Sequence, residues 1–218
     1  MAGDVSSSCV KAGVSTSRLL MNFTAEDVKR LREVTGAGFA DCRSALTDTA
    51  SFDAAIKALE EKGKKRAEKI KGQDRETRQG TVVSYIHGGG TIGVLLELNC
   101  STDFVSRNED FRTLARELAI QVAGLDPQYI SFADIPAEEL ATARAEITAD
   151  PEVQKRPERV REQIIEGKLK KQFGSKILLE QQWVKDESKS VASLVDDLIH
   201  KTGENIVVRR FTRFAVGD

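Results

Sequence analysis

Apolar residues recur every three or four positions in the first part of the chain, which is the spacing of an amphipathic helix. Val28 and Leu31 define such a face after Thr24, a residue type that commonly caps a helix start. Two further short faces follow, one from Phe39 to Leu46 and one from Phe52 to Leu59. The pattern therefore predicts three short helices that pack as a small bundle.

Extended apolar runs replace this helical spacing in the middle of the chain. Residues 81–87 and 92–100 alternate in the manner of strands and flank the triplet Gly88-Gly89-Gly90, which predicts a β-hairpin. Residues 205–214 predict one more strand near the carboxyl end. Together these runs indicate a three-stranded antiparallel sheet.

Helical patterns also surround the predicted strands. The segments 109–122 and 191–199 each carry one apolar face, and these two helices can cover one face of the sheet. Between them, residues 135–175 contain two charged helices with narrow apolar faces, which favours an antiparallel helical hairpin protruding from the body. The expected fold class is therefore α+β.

The predicted sheet is apolar on both faces. Leu96 and Leu98 share one face of the middle strand with Ile92 and Val94, whereas Leu95 lies on the other. The two predicted helices can cover only one face of the sheet. An apolar face that stays uncovered usually marks an interface. We therefore expect a homodimer through the sheet, with a monomer whose face is covered by another partner as the alternative.

Changes in composition divide the chain into four segments. Residues 1–20 are rich in serine and show no period, so they are expected to form a disordered leader or tag. Residues 21–60 hold the three-helix module, which is similar to ubiquitin-associated (UBA) modules. Residues 61–80 are polar and predict a linker that can be helical in part, and residues 81–218 form the α/β core.

Bulk charge narrows the possible partners and compartments. The 218 residues include 31% charged side chains, yet the net charge is only −1, so nucleic acid is not favoured as the main partner. The three cysteines are scattered, as expected in a reducing compartment. No apolar run reaches the roughly 18 residues of a membrane helix. We expect a cytoplasmic protein, with an organellar location left open by the Ser-rich first segment.

The residues around each possible catalytic or cofactor-binding motif do not support such a function. His87-Gly88-Gly89-Gly90 matches the oxyanion loop of some esterases, but no G-x-S-x-G accompanies it and a hairpin turn explains the glycines better. Cys100 with His87 could suggest a thiol nucleophile, although a lone cysteine at a strand end is usually a buried apolar residue. Phosphate-binding loops and clustered metal ligands are missing from the sequence. We expect no enzyme, no cofactor, no metal site and no direct nucleotide binding.

The most informative segment is Asn99–Val105, where a predicted strand ends. Here Asp103 and Phe104 lie side by side at a strand-to-helix turn, a place where α/β proteins often carry functional groups on a rigid base. Phe104 could equally be an ordinary core residue, since most phenylalanines are buried. Local pattern alone leaves both interpretations open.

Five segments, in order, resemble the elongation factor Ts family. Residues 28–46 are similar to its amino-terminal signature and residues 99–109 to its second signature. The other three segments are 164–171, 178–186 and 203–211. The resemblance covers about residues 22–217 and matches the short form, which has one α/β subdomain where long members have two.

The resemblance implies an activity and a site. Family members are guanine-nucleotide exchange factors for elongation factor Tu, the GTPase that carries aminoacyl-tRNA to the ribosome. In this chain the implied wedge near the nucleotide and its magnesium ion is Asp103-Phe104, flanked by Thr102 and Val105. Exchange of this kind needs preferential binding to the nucleotide-free GTPase and no chemical step.

The resemblance also implies two docking regions. Arg32, Phe39 and Ala40 correspond to the surface that meets the nucleotide-binding domain of the GTPase, and His87 at the hairpin tip corresponds to a contact with another of its domains. Phe39-Ala40 departs from the two methionines usual in the family. Docking at this position is therefore expected to differ in detail.

A different class of function remains as the alternative. The basic stretch at residues 62–71 could make the chain an RNA-binding or ribosome-binding module. The near-neutral charge and the lack of aromatic residues within that stretch count against it.

Overall fold

The computed structural model describes residues 23–73 and 76–218. The chain divides between Glu60 and Glu61 into two compact units. The expected leader over residues 1–20 lies outside the described residues. Within the described ranges, every helix is too short or too polar to cross a membrane.

The first unit contains three helices, α1 (Ala25–Thr35), α2 (Phe39–Asp48) and the first part of α3 (Phe52–Lys71). The hydroxyl of Thr24 accepts a hydrogen bond from the Asp27 amide and caps α1, as the sequence predicts. A small core fills the space between the helices, formed by Val28, Leu31, Ala37, Cys42, Ala45, Leu46, Ala55 and Leu59. The three predicted helices are confirmed, and the likeness to UBA modules stays a prediction.

Helix α3 continues well past the predicted start of the linker. Residues 61–80 were expected to form a solvated linker, but the chain is helical to Lys71 and this part of the helix packs on the core. Ala67 and Ile70 are buried in the core of the second unit, and Lys71 Nζ lies 2.5 Å from a carboxylate oxygen of Asp196. The many Lys, Glu and Ala residues that suggested a solvated hinge are also strong helix formers. One apolar face was enough to hold this helix against the core.

The second unit is built around one sheet. Its elements in chain order are β1 (Gln79–His87), β2 (Ile92–Cys100), α4 (Asp103–Ser106), α5 (Glu109–Leu125), α6 (Ala137–Ala149), α7 (Pro151–Gln154), α8 (Glu158–Phe173), β3 (Gln182–Trp183), β4 (Asp186–Ser190), α9 (Val191–Thr202) and β5 (Ile206–Ala215). Three short 3₁₀ turns cover residues 132–134, 174–176 and 178–180. The predicted α+β fold class is confirmed.

The main sheet has the order β1-β2-β5, and both pairings are antiparallel. Val94, Leu96 and Leu98 point from β2 into the core, where α5 and α9 cover this face as the pattern predicts. A register shift between Glu97 and Leu98 marks a bulge in the pairing with β5, which the sequence did not indicate.

The opposite face of the sheet is exposed. Large apolar side chains remain in contact with solvent there, namely Val82, Ile86, Leu95 and Phe214. None of the described elements that form the core of this unit packs on this side of β2, because α5 and α9 both lie on the other face. The prediction of one covered and one uncovered apolar face is therefore confirmed.

The helices α6, α7 and α8 form an insert with a core of its own. That core consists of Ile135, Ala143, Val153, Ile165, Leu169, Phe173 and Ile177. The chain leaves the sheet unit at Tyr129 and returns at Ile177, and these two residues form a parallel bridge. Both long helices of the predicted hairpin are present, and the interruption predicted at Asp150-Pro151 contains the short helix α7.

Candidate partner-binding site

The turn that follows β2 presents a large aromatic side chain to solvent. Helix α4 has only four residues, and within it Val105 is buried whereas Phe104 is 82% exposed. The interpretation of Phe104 as a core residue is therefore wrong. An exposed phenylalanine beside a buried neighbour is available to a partner, and aromatic residues are enriched at protein interfaces.

Local hydrogen bonds shape the same turn around Asp103. Its carboxylate lies 3.0 Å from the Arg107 guanidinium, and its backbone carbonyl accepts a hydrogen bond of 2.8 Å from the Ser106 hydroxyl. About half of the Asp103 side chain (45%) is still exposed beside Phe104. An acidic group and an aromatic ring are thus displayed together.

A residue far away in sequence holds the start of the turn. Glu204 accepts two hydrogen bonds from Thr102, one of 3.0 Å from the backbone amide and one of 2.6 Å from the hydroxyl. Reasoning from sequence pattern did not find Glu204 as a site residue. The one signal that could have found it is the resemblance of residues 203–211 to the family. That resemblance assigns no role to the Glu204 carboxylate.

Cys100 lies directly beneath the turn and is not suited to nucleophilic chemistry. Its thiol is fully buried and donates a hydrogen bond of 3.1 Å to the carbonyl of Thr102. Burial, followed by the negative charge of Glu204, raises the pKa of Cys100 to about 11. A protonated and inaccessible thiol is a poor nucleophile at neutral pH.

His87 lies at the other end of the sheet. In the register of β1 and β2, His87 pairs with Ile92 whereas Cys100 pairs with Gln79. Eight residue steps of about 3.4 Å therefore separate His87 from Cys100, a distance of about 27 Å. A Cys100–His87 pair cannot form, so that candidate nucleophile is excluded.

The hairpin tip around His87 has a defined shape. Gly88, Gly89 and Gly90 have φ values of 61°, 68° and 100°, a run of left-handed backbone that residues with side chains rarely adopt. His87 Nδ1 lies 2.9 Å from the hydroxyl of Tyr85, and this contact orients the exposed imidazole. The tip therefore offers one oriented polar side chain to a partner.

Arg32, Phe39 and Ala40 belong to the first unit, and all three are exposed. They flank the turn between α1 and α2, where Gly36 ends α1 in the left-handed conformation with a φ of 67°. Val34, on the last turn of α1, is an exposed apolar residue that no motif in the sequence indicated. The turn thus carries two apolar side chains, Val34 and Phe39, together with a cation.

The predicted site residues form three separate features. Thr102, Asp103, Phe104 and Val105 share a single turn, which we call the wedge turn. His87 lies at the opposite end of the same sheet, and Arg32, Phe39 and Ala40 lie in the other unit. Among the described residues, no group of three His, Cys, Asp or Glu side chains is arranged to hold a metal ion.

The basic stretch at residues 62–71 lies on the last part of α3. Ala67 and Ile70 turn inward and Lys71 is paired with Asp196, so the exposed cations form only one side of a helix. Glu68 is also exposed on this segment. A stripe of mixed charge without aromatic residues has the character of an ordinary solvated helix face.

Comparison with known proteins identifies the class. A profile for "Elongation factor TS" matches residues 15–218. The chain is 44% identical over 199 residues to elongation factor Ts of Coprothermobacter proteolyticus, which covers 91% of this chain and 100% of that protein. It is 47% identical over 195 residues to the protein of that name from Moorella thermoacetica, covering 89% of this chain and 95% of the relative.

A similar match, 44% identity over 199 residues, is found with elongation factor Ts of Thermotoga maritima, at 91% of this chain and 98% of the relative. The matches run through both units and define a translation elongation factor. More particularly, the chain belongs to the elongation factor Ts family.

Proposed function

We propose that the chain is a guanine-nucleotide exchange factor that promotes GDP release from elongation factor Tu. The wedge turn inserts Asp103 and Phe104 close to the bound nucleotide and its magnesium ion. The observation that carries this proposal is the exposure of Phe104, which is 82% accessible although its neighbour Val105 is buried in the core. The ring is therefore available to a partner and contributes little to the fold.

Exchange requires no bond to be made or broken by this chain. A factor accelerates release when it binds the nucleotide-free GTPase more tightly than the nucleotide-bound form. The coupling is reciprocal, so GDP must weaken binding of the factor by the same ratio. A rigid aromatic residue that displaces the elements holding magnesium and phosphate supplies such a preference, and the chain acts without being an enzyme.

The other predicted residues supply affinity in this proposal. The exposed surface with Arg32, Phe39 and Ala40 docks on the nucleotide-binding domain, and His87 at the hairpin tip meets a different domain of the GTPase. Because His87 lies about 27 Å from the end of β2 that leads into the wedge turn, the two contacts reach well-separated parts of the partner. Affinity gained at these sites holds the wedge turn in place.

Fluorescent GDP bound to elongation factor Tu provides the test. Adding the chain in the presence of excess unlabelled GDP should accelerate loss of the fluorescent nucleotide, and the rate should rise to a plateau with protein concentration. No phosphate should be produced by the chain itself. An unchanged release rate at saturating protein, with a cognate GTPase, would refute the proposal. If the chain retains tRNA on a filter and has no effect on GDP release, the result would favour the alternative function, an RNA-binding module that uses the basic stretch at residues 62–71.

We propose further that the exposed sheet face pairs with a second copy of the chain. Leu95 lies on the central strand of that face, and Val82, Ile86 and Phe214 are exposed around it. Exposed apolar side chains on an open sheet face are well suited to a two-fold contact with the same face of a second copy. Covering it with a second sheet would remove these side chains from water.

Light scattering tests the dimer at micromolar concentration. The expected mass is twice the 24.0 kDa of one chain. Leu95→Glu should shift the mass to that of the monomer, because it places a charge in the centre of the apolar face. Val160→Glu, on an exposed position of α8, is the control and should leave the mass unchanged. A constant mass near 24.0 kDa for the unmodified protein would rule the dimer out.

A further inference from the structure

Both donors of Thr102 converge on the same carboxylate. The backbone amide and the hydroxyl donate to the two different oxygens of Glu204, although the residues are 102 positions apart in the chain. Thr102 is the N-cap residue of α4, yet its side chain makes no capping hydrogen bond to that helix. The hydroxyl is therefore committed to Glu204 and not to the local helix start, where threonine normally acts.

We propose that Glu204 is a positioning residue for nucleotide exchange, which sets the conformation of the wedge turn and thus the direction in which Phe104 is presented. This inference rests on the exchange function proposed above. Glu204 itself needs no contact with the partner for this role. It acts through Thr102, two residues before the aromatic ring.

The position of Glu204 is itself well determined. Gly203 ends α9 in the left-handed conformation with a φ of 74°, which turns the chain sharply toward the sheet. Two residues after Glu204, the buried Ile206 begins β5 and pairs with Cys100, the last residue of β2. The carboxylate is therefore held between a helix end and a core strand, beside the place where the wedge turn begins.

The wedge turn has two anchors, with the exposed pair between them. On one side Thr102 is bound by Glu204, and on the other Val105 is buried in the core. Only Asp103 and Phe104 lie between these points. A helix of four residues is too short to maintain itself in water, so the anchors determine its geometry.

The other side-chain contacts around the turn join residues at most four positions apart and cannot take over this task. The ion pair between Arg107 and Asp103 is local, and its side chains are 73% and 45% exposed. Exposed ion pairs of this kind contribute little and are screened by salt. Among the ion pairs of the described residues none involves Glu204, so the hydrogen bonds that satisfy its charge come from Thr102.

Two variants remove the contact from either side. Glu204→Gln keeps the shape but offers an amide group where one of the Thr102 donors needs an acceptor. Thr102→Val keeps the volume and removes the hydroxyl. Because hydrogen bonds to a charged group are among the stronger ones in proteins, we expect the plateau rate of GDP release to fall about 10- to 100-fold in each variant. The half-saturating concentration should change far less, since docking uses other surfaces.

A double variant and a conservative variant separate positioning from general damage. If Glu204 acts through Thr102, the combination of Glu204→Gln with Thr102→Val should lose scarcely more than either single change. Thr102→Ser retains the hydroxyl and should lose less activity than Thr102→Val. Glu187→Gln, an exposed carboxylate on β4, is the matched control and should behave as the unmodified chain.

A measurement on the free protein makes the result independent of the exchange assay. The Thr102 amide proton should exchange slowly with solvent in the unmodified chain and much faster in Glu204→Gln, as followed by NMR. Failure of the unmodified chain to release GDP would refute the exchange function, whereas this amide would still report on Glu204. Unchanged Thr102 protection together with an unchanged plateau rate in Glu204→Gln would overturn the proposal. If Glu204→Gln fails to fold, the proposal is tested by comparing the plateau rates of Thr102→Val and Thr102→Ser. A lower rate for Thr102→Val supports it, and equal rates overturn it.

Discussion

Replacing Phe104 with alanine should abolish most of the exchange activity and leave the fold almost unchanged. The ring lies on the wedge turn and is 82% exposed in the free protein. Seven residues later, Phe111 is fully buried in the core at the start of α5. The same substitution at these two positions should therefore have opposite consequences.

The magnitudes follow from the area of the ring. A phenylalanine presents about 200 Å², so the exposed part of Phe104 is about 160 Å² and the part buried by the fold is about 40 Å². At about 25 cal/mol per Å², covering the exposed part stabilises a complex by at most about 4 kcal/mol, whereas the buried part contributes about 1 kcal/mol to the fold. Truncated interface anchors typically lose about 2 kcal/mol or more.

These values translate into measurable effects. A loss of about 2 to 4 kcal/mol at the transition state for release corresponds to a rate about 30- to 700-fold lower. A loss of about 1 kcal/mol in stability lowers the melting temperature of a chain of this size by about 2–4 °C. Phe111→Ala should instead cost about 3–5 kcal/mol of stability, because it leaves a cavity in the core.

The assay pairs release of fluorescent GDP from elongation factor Tu with thermal unfolding followed by circular dichroism. For Phe104→Ala we expect a greatly reduced release rate and a melting temperature within a few degrees of the unmodified chain. For Phe111→Ala we expect a large drop in melting temperature. A Phe104→Ala protein with normal release, or one that unfolds as readily as Phe111→Ala, would refute the reasoning from exposure.

Two further predictions concern stability. The pKa of Cys100 is raised from 9.0 to about 11 in the folded chain, so the unfolded chain loses its thiol proton first as pH rises. This contribution to stability is complete below about pH 9 and disappears as pH passes 11; Cys100→Ala should therefore show a shallower alkaline loss in urea titrations, and an equal slope would contradict the assignment. The buried Gln121 side chain bonds Gln181, the carbonyl of Gln182 and the amide of Val184. Gln121→Leu leaves these groups unsatisfied and should cost about 2–4 kcal/mol in the same titration, so a neutral result would be evidence against this network.

The sheet and its covering helices could be predicted from the chain alone because their signals are local. Alternation in residues 92–100 and the glycines that follow His87 specify a hairpin, and the helical spacing in 109–122 specifies a helix with one apolar face. The polar strand β4 and the two-residue β3 were not predicted, since neither has an apolar alternation.

Segments dominated by charge were harder to interpret. Residues 61–71 were expected to form a linker because lysine and glutamate prevail there. The two buried hydrophobic residues of that segment, Ala67 and Ile70, were too few to change this expectation. Burial of so few side chains depends on what lies opposite in the fold. Local pattern contains no information about that neighbour.

The candidate site also contains residues that the sequence indicated and residues that only the structure reveals. Asp103 and Phe104 stood out because they follow a strand, but only three-dimensional structure shows that the ring is exposed. Glu204 escaped notice because its partner Thr102 is 102 residues away, and periodicity cannot report a contact over that separation. A residue that holds a functional turn in place can therefore lie in a distant segment whose local sequence gives no sign of that role.

The closed insert formed by α6, α7 and α8 has a consequence for how this protein can vary in length. Its ends meet at Tyr129 and Ile177, and the next residue, Leu178, already belongs to the core of the sheet unit. Its buried apolar residues form a core of their own. A segment that departs and returns at one point can be shortened, extended or exchanged while the strands keep their register. This point is therefore the natural place to graft a foreign domain or a fluorescent reporter onto the chain.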